Sequence, residues 1–326
     1  MSIILGINCL HADSSACIIK DGKLEFAIEE ERLNREKHTP NLPILSIKEC
    51  LNQAKINSKD ITHIAFNTKP NSNFFTKINF LIKNFSFKNN YVKRFYDKNT
   101  LDKIFLKKFE FNSDVKFYFI EHHLAHISSA FYASEFNDAI GLSIDGSGDF
   151  TTMMIAECSN ENIKVIDKSS FPDSLGIFYH SMTQFLGFKN FGDEYKVMGL
   201  ASYGKPKYFE KIKENLFKKN KNFFKLNMKY FKHGSSSFDY SYKNINNIPN
   251  IYSEKLIKLF DEDIKNSHDE IFKQNLSSSV QKIYEFYFEK VLDSIKDSNF
   301  SKNLVFAGGC ALNSTANKIL IKENFP

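Results

Sequence analysis

The sequence predicts an α/β protein. Three observations carry this. An apolar three-strand pattern occurs twice, first within residues 2–28 and again within 140–169. Segments with apolar residues at helical spacing lie between and after the two copies. The 326 residues, 42% of them hydrophobic, suffice to bury the core of two domains or of one large two-lobed unit.

The elements can be taken in order. Ser2 to Asn8 is apolar and β-branched and reads as a strand. Ser15 to Ile19 and Lys23 to Ile28 flank Asp21-Gly22, a two-residue turn signal that joins them as a hairpin. Pro43 to Lys55 places Ile44, Leu45, Ile47 and Leu51 at helical spacing. A short strand from Lys116 to Ile120 leads into a helix from Glu121 to Ser134. The second copy follows as Ile140 to Asp145, Thr151 to Glu157 and Ile163 to Ser169. Ser253 to Phe260 and Ile271 to Ile295 read as helices, and Asn303 to Phe306 as a strand running into Gly308-Gly309.

The two copies indicate an internal duplication. In each, a strand ending in a small polar residue faces a hydroxyl-rich loop, so two facing copies would set Asn8, Asp13 and Ser14 opposite Asp145, Ser147 and Asp149. Such a cleft could surround a phosphorylated ligand, with Gly146 and Gly148 permitting close backbone approach. An ordinary pair of β-turns is the other reading of the same spacing.

Composition narrows the class. The net charge of +6, from 44 basic against 38 acidic side chains, is a mild surplus and identifies no partner. Residues 74–111 mix aromatics with lysine and arginine as a nucleic-acid surface does, but an amphipathic helical insertion explains them more simply in a chain rich in Phe, Lys, Asn and Ile. A second polar stretch runs from Lys205 to Asn250. The five cysteines are scattered, with no CxxC pair, and point to a reducing compartment. The N-terminus lacks the basic and apolar regions of a signal peptide, and no apolar run approaches the ~20 residues that cross a bilayer. The expectation is a cytoplasmic protein with no membrane partner.

Four stretches could carry chemistry. In EHHLAHISSAF, His122 and His126 lie four apart and share a helix face, the spacing at which two imidazoles clamp one divalent metal, while His123 points elsewhere. Two ligands do not make a site, and a bare HxxxH also arises by coincidence. The Gly-flanked run from Ser174 to Ala201 holds Asp193, Glu194 and Lys196 and reads either as a loop around an anionic ligand, bound by Lys196, or as a surface turn with an ion pair. AGGCALN places Gly308 and Gly309 between a strand and a helix, where a nucleotide could rest on the backbone. EEERLNREKH is a salt-bridged surface face or, through Arg32, Arg35 and Lys37, a site for phosphate or carbamoyl oxygens.

Together and in this order, LGIN with HADSSACII, AIEEERLNREKH, EHHLAHISSAF, IDGSGD, SLGIFY with GFKNFGDEYKVMGLASYG, NLSSSVQ and AGGCALN resemble the amino-terminal domain of the NodU/CmcH-type O-carbamoyltransferases. The resemblance implies the duplicated actin/sugar-kinase-like (ASKHA) two-lobed fold, with mixed sheets and flanking helices. The lobes would be residues 1–135, with an insertion at about 70–115, and residues 136–326, with an insertion at about 205–250 and an incomplete carboxy-terminal end. It implies a divalent metal, with iron the expected identity, on His122 and His126. Asp13 would take the proton of an acceptor hydroxyl and Lys37 would offset negative charge. Asn8, Ser14, Asp145, Gly146, Gly148, Lys196, Gly308, Gly309 and Asn313 would line the nucleotide site.

The implied reaction moves a carbamoyl group from carbamoyl-adenylate, made from ATP and carbamoyl phosphate, to a hydroxyl of a small molecule or sugar. Family members continue with a GDAG-like segment that supplies the carboxylate metal ligand and with a YrdC-like activating domain. Neither is in this sequence, so the expectation is either a split enzyme whose remainder is a separate polypeptide or a truncated product inactive alone. A threonylcarbamoyl-type tRNA-modifying ATPase and a non-catalytic nucleotide-binding fragment are the alternatives.

Overall fold

A computed structural model of the chain describes residues 1–83, 97–160, 162–219, 223–234, 249–265, 268–296 and 298–322. Parts of both expected insertions, within 84–96 and 235–248, lie outside the described residues. The described strands are β1 (Ile3–Asn8), β2 (Ser15–Lys20), β3 (Lys23–Glu29), β4 (His63–Phe66), β5 (Lys116–Phe119), β6 (Asp138–Gly148), β7 (Thr151–Ser159), β8 (Ile163–Ser170) and β9 (Leu304–Ala307). The helices are α1 (Glu31–Asn34), α2 (Ile44–Gln53), α3 (Phe74–Lys83), α4 (Leu101–Lys108), α5 (His122–Phe131), α6 (Leu175–Phe185), α7 (Glu194–Leu200), α8 (Phe209–Leu216), α9 (Glu254–Lys265), α10 (Asp269–Lys296) and α11 (Ser314–Lys322).

Two compact units divide the described residues, one from residues 1–74 and 97–122, the other from the remainder. In the first, the sheet order is β3-β2-β1-β4-β5. β1, β2 and β3 form the expected antiparallel meander, and β4 and β5 add in parallel. The hairpin turns at Asp21 and Gly22 with φ of 47° and 83°, the paired positive values of a type I′ turn. Alternate residues of β1, Ile3, Leu5 and Ile7, face the core and meet Ile47 and Cys50 of α2. Leu101 and Phe105 of α4 are fully buried in the same core, so this part of the expected insertion is integral to the unit.

In the second unit the order is β8-β7-β6-β9, an antiparallel meander with one parallel strand beside its first member. That repeats the first unit's β3-β2-β1-β4. The long helix α10 buries Leu276, Val280, Ile283, Tyr284 and Phe288 in the core behind this sheet.

Two local expectations are corrected. Residues 146–148, read as part of a loop after the strand, continue β6: the ladder is irregular after Ile144, resumes at Gly148 opposite Thr151, and reverses at Asp149 and Phe150 with φ of 48° and 73°. The run from Ser174, read as a possible loop, is largely helical. Ser174 caps α6 by accepting the Ile177 N–H at 3.0 Å, and the apolar residues Leu175, Phe178 and Met182 bury one face. Gly176 is there for contact rather than for a turn, because a Cβ would stand 2.8 Å from the Asp145 and Gly146 backbone. Among the described residues, no helix is long and apolar enough to cross a membrane.

Candidate metal and nucleotide site

Helix α5 starts at His122 and carries the histidine cluster. His123 is fully buried, with Nδ1 at 2.9 Å from Ser143 Oγ and Nε2 at 3.0 Å from Thr151 O. Because a carbonyl only accepts, Nε2 carries the proton and Nδ1 accepts from the serine. The middle histidine is therefore a structural tie between α5 and the β6–β7 hairpin.

His122 and His126 point together from the other face. His126 Nε2 lies 3.2 Å from Asp145 Oδ2. One ligand atom each of His122, His126 and Asp145 falls within 4.8 Å of the others. Asp145 is held from behind, since its Oδ1 accepts from Gly146 N at 2.7 Å and from Gly309 N at 3.3 Å. Two imidazoles and one oriented carboxylate form a donor set suited to zinc or a divalent transition metal, with the carboxylate fixed by outer hydrogen bonds. The donor chemistry thus fits a metal. Asp145, expected on a phosphate loop, stands beside His122 and His126 as a further candidate ligand; the expected carboxylate ligand was that of a GDAG-like segment. The missed signal was its place beside the histidine helix, 19 positions from His126, which no spacing rule reveals.

Gly309 approaches the same carboxylate closely, and Gly308 packs against Ile144 just before it. Gly308 has φ of 93°, and a Cβ there would stand 2.4 Å from Ile144 O. At Gly309 a Cβ would stand 2.8 Å from Asp145 Oδ1. Around Gly146, by contrast, nothing lies within 4 Å of such a Cβ, and Ser174 Oγ donates to its carbonyl at 2.7 Å. Asn313, expected to touch nucleotide, exchanges hydrogen bonds of 3.1 and 3.0 Å with Gln281 and accepts the Ala316 N–H near the start of α11.

Lys196 bonds Asp193 at 2.7 Å. Burial works to raise the Asp193 carboxyl, but hydrogen bonds from Lys196 and Asn190 outweigh it and hold the group below the usual carboxylate range. Glu194 behaves alike: burial opposes ionisation, and the hydrogen bond and charge of His180, 2.5 Å away, prevail and hold it low. Asp193 and Lys196 thus form an ion pair at the start of α7.

In the first unit, Asn8 ties down the loop after β1, donating from Nδ2 to Ala12 O at 3.2 Å and Asp13 O at 2.7 Å. Ser14 is fully buried, and both its N–H and its Oγ donate to Thr39 O, at 3.0 and 2.6 Å. The Asp13 carboxylate is partly exposed and meets His38 Nδ1 at 2.7 Å. Lys37 is exposed. His11, not singled out by sequence reading, sets its ring centroid 5.0 Å from that of His122 with the planes tilted by 40°.

Comparison with known proteins agrees with this layout. Component A of (R)-2-hydroxyglutaryl-CoA dehydratase from Acidaminococcus fermentans shares the fold, with a TM-score of 0.50 and 13% identity over 99% of this chain and 88% of that one. The fold is accordingly the duplicated actin/sugar-kinase-like α/β class. The uncharacterized protein sll1178 of Synechocystis sp. is 31% identical over 99% of this chain and 53% of its own length. The nodulation protein NolNO of Sinorhizobium fredii is 36% identical over 61% of this chain and 29% of its own length. The chain thus spans about half or less of the curated relatives it matches. Residues 3–325 match the family described as Carbamoyltransferase N-terminus, and the chain belongs to that family.

Proposed function

We propose that this chain provides the transfer site of an O-carbamoyltransferase. The observation that carries the reading is the His122, His126 and Asp145 donor set within a chain of the carbamoyltransferase amino-terminal family. The donor is carbamoyl-adenylate, formed from ATP and carbamoyl phosphate by an activating region of the kind found in longer members. The acceptor is a hydroxyl of a small molecule or sugar.

In the proposed reaction the acceptor oxygen bonds to the carbamoyl carbon, and the bond from that carbon to the adenylate phosphate oxygen breaks, releasing AMP. Asp13 takes the hydroxyl proton and Lys37 offsets negative charge developing on the donor. His122, His126 and Asp145 would hold a divalent metal, expected to be iron, which supplies Lewis-acid polarisation or charge neutralisation when bound. The N–H groups of Gly146 and Gly309 donate to the Asp145 carboxylate, and this backbone together with Gly308 would provide the surface on which the adenylate rests.

The test supplies purified protein with synthetic carbamoyl-adenylate and follows AMP release together with metal content. His122→Ala should lose metal and AMP release together. Unchanged release from the metal-free variant would defeat the proposal.

A further inference from the structure

The contact between Asp13 and His38 is used by nothing so far described. His38 Nδ1 stands 2.7 Å from Asp13 Oδ1, with the two side chains 32% and 44% exposed. A pair this open to water adds little to stability. Asp13 and His38 also both adopt left-handed backbone conformations, with φ of 61° and 56°. Glycine would serve such turns at lower steric cost, and here the two non-glycine side chains meet each other.

The loops that carry them are clasped beside the contact. Ser14 N and Oγ both donate to Thr39 O, which joins the residue after Asp13 to the residue after His38. The Glu31 carboxylate accepts the His38 backbone N–H at 2.8 Å, and Asn8 holds the Asp13 carbonyl. With both backbones fixed, the imidazole has one evident task toward Asp13: its Nδ1–H grips one carboxylate oxygen and fixes the plane of the group.

We propose that His38 is the positioning residue of Asp13, orienting the carboxylate to receive the acceptor hydroxyl's proton. This rests on the role given to Asp13 above. It requires a donor at the Nδ1 position, not a titrating imidazole. An asparagine can offer a side-chain N–H at that point and tolerates positive φ, whereas leucine offers none.

The experiment compares His38→Asn, His38→Leu and Asp13→Asn as whole purified proteins, with carbamoyl-adenylate as donor, buffer water as acceptor and AMP as the product measured. Melting temperature is recorded for each. The expected result is that His38→Asn stays within about threefold of the parent, while His38→Leu and Asp13→Asn fall about 100-fold in kcat at unchanged KM. Equal losses in His38→Asn and His38→Leu would overturn the proposal. Full activity in His38→Leu beside an inactive Asp13→Asn would overturn it while leaving the role of Asp13 standing. An active Asp13→Asn would remove that role and this proposal with it. Nitrogen NMR of the parent gives a readout independent of turnover: His38 protonated on Nδ1 supports the proposal, and an Nε2–H tautomer overturns it.

Discussion

His126 Nε2 stands 3.2 Å from Asp145 Oδ2, while the other oxygen of that carboxylate is held by the N–H groups of Gly146 and Gly309. One oxygen serves the fold and the other faces the histidines. This division of labour preorients the carboxylate for the proposed metal and gives the first prediction.

Asp145→Asn keeps an acceptor for the two backbone N–H groups and replaces the facing oxygen with a donor. Metal affinity should fall tenfold or more, on the order seen when even outer groups of metal sites are removed. The melting temperature should hardly move. Calorimetric titration with Zn(II) or Fe(II) tests this, and equal affinity in the two proteins would remove Asp145 from the ligand set.

His123 should behave differently from its neighbours. His123→Leu leaves Ser143 Oγ and Thr151 O buried without their present partner, a loss of about 3 kcal/mol of stability. Urea unfolding should show the drop. Metal bound per folded chain should stay at the parent value, which separates the structural histidine from the two proposed ligands.

Gly308 and Gly146 should respond in opposite ways. Gly308→Ala demands a left-handed backbone and sets a Cβ 2.4 Å from Ile144 O, so the cost should exceed about 2 kcal/mol. Gly146→Ala meets nothing within 4 Å and should be close to neutral in stability. Denaturant midpoints for the two variants test the contrast.

His233 predicts an acid limb to the stability curve. Burial pushes its imidazole down to about 4, against the donation of its Nε2–H to Pro172 O at 2.8 Å. Between the ordinary histidine value of about 6.5 and about 4, the unfolded chain binds a proton that the native chain refuses, so stability falls as pH drops through that window. The loss should reach roughly 3 kcal/mol by the lower end. His233→Gln retains a donor near the Nε2 position and should flatten this part of the profile, as unfolding measured at successive pH values will show.

The sequence by itself determined whatever depends on neighbours along the chain. Alternation from Ile3 to Ile7 specifies a strand with one buried face, Asp21-Gly22 supplies the two positive φ values of the hairpin, and a four-residue step places His122 and His126 on one helix face. The duplication was legible for the same reason, since each meander is a local object. Tertiary structure decided what depends on pairs far apart in sequence. The four-residue strand β4 carries too short a pattern to announce itself, and its place beside β1 comes from long-range pairing. Gly176 resembled a loop signal until the Asp145 backbone was found against it. Only the folded chain shows that Ser14 Oγ donates to Thr39 O and that Asp145 stands beside His126, 19 positions away. Periodicity fixes which way a side chain leaves its own element, whereas only the packing of elements determines which other side chain it meets.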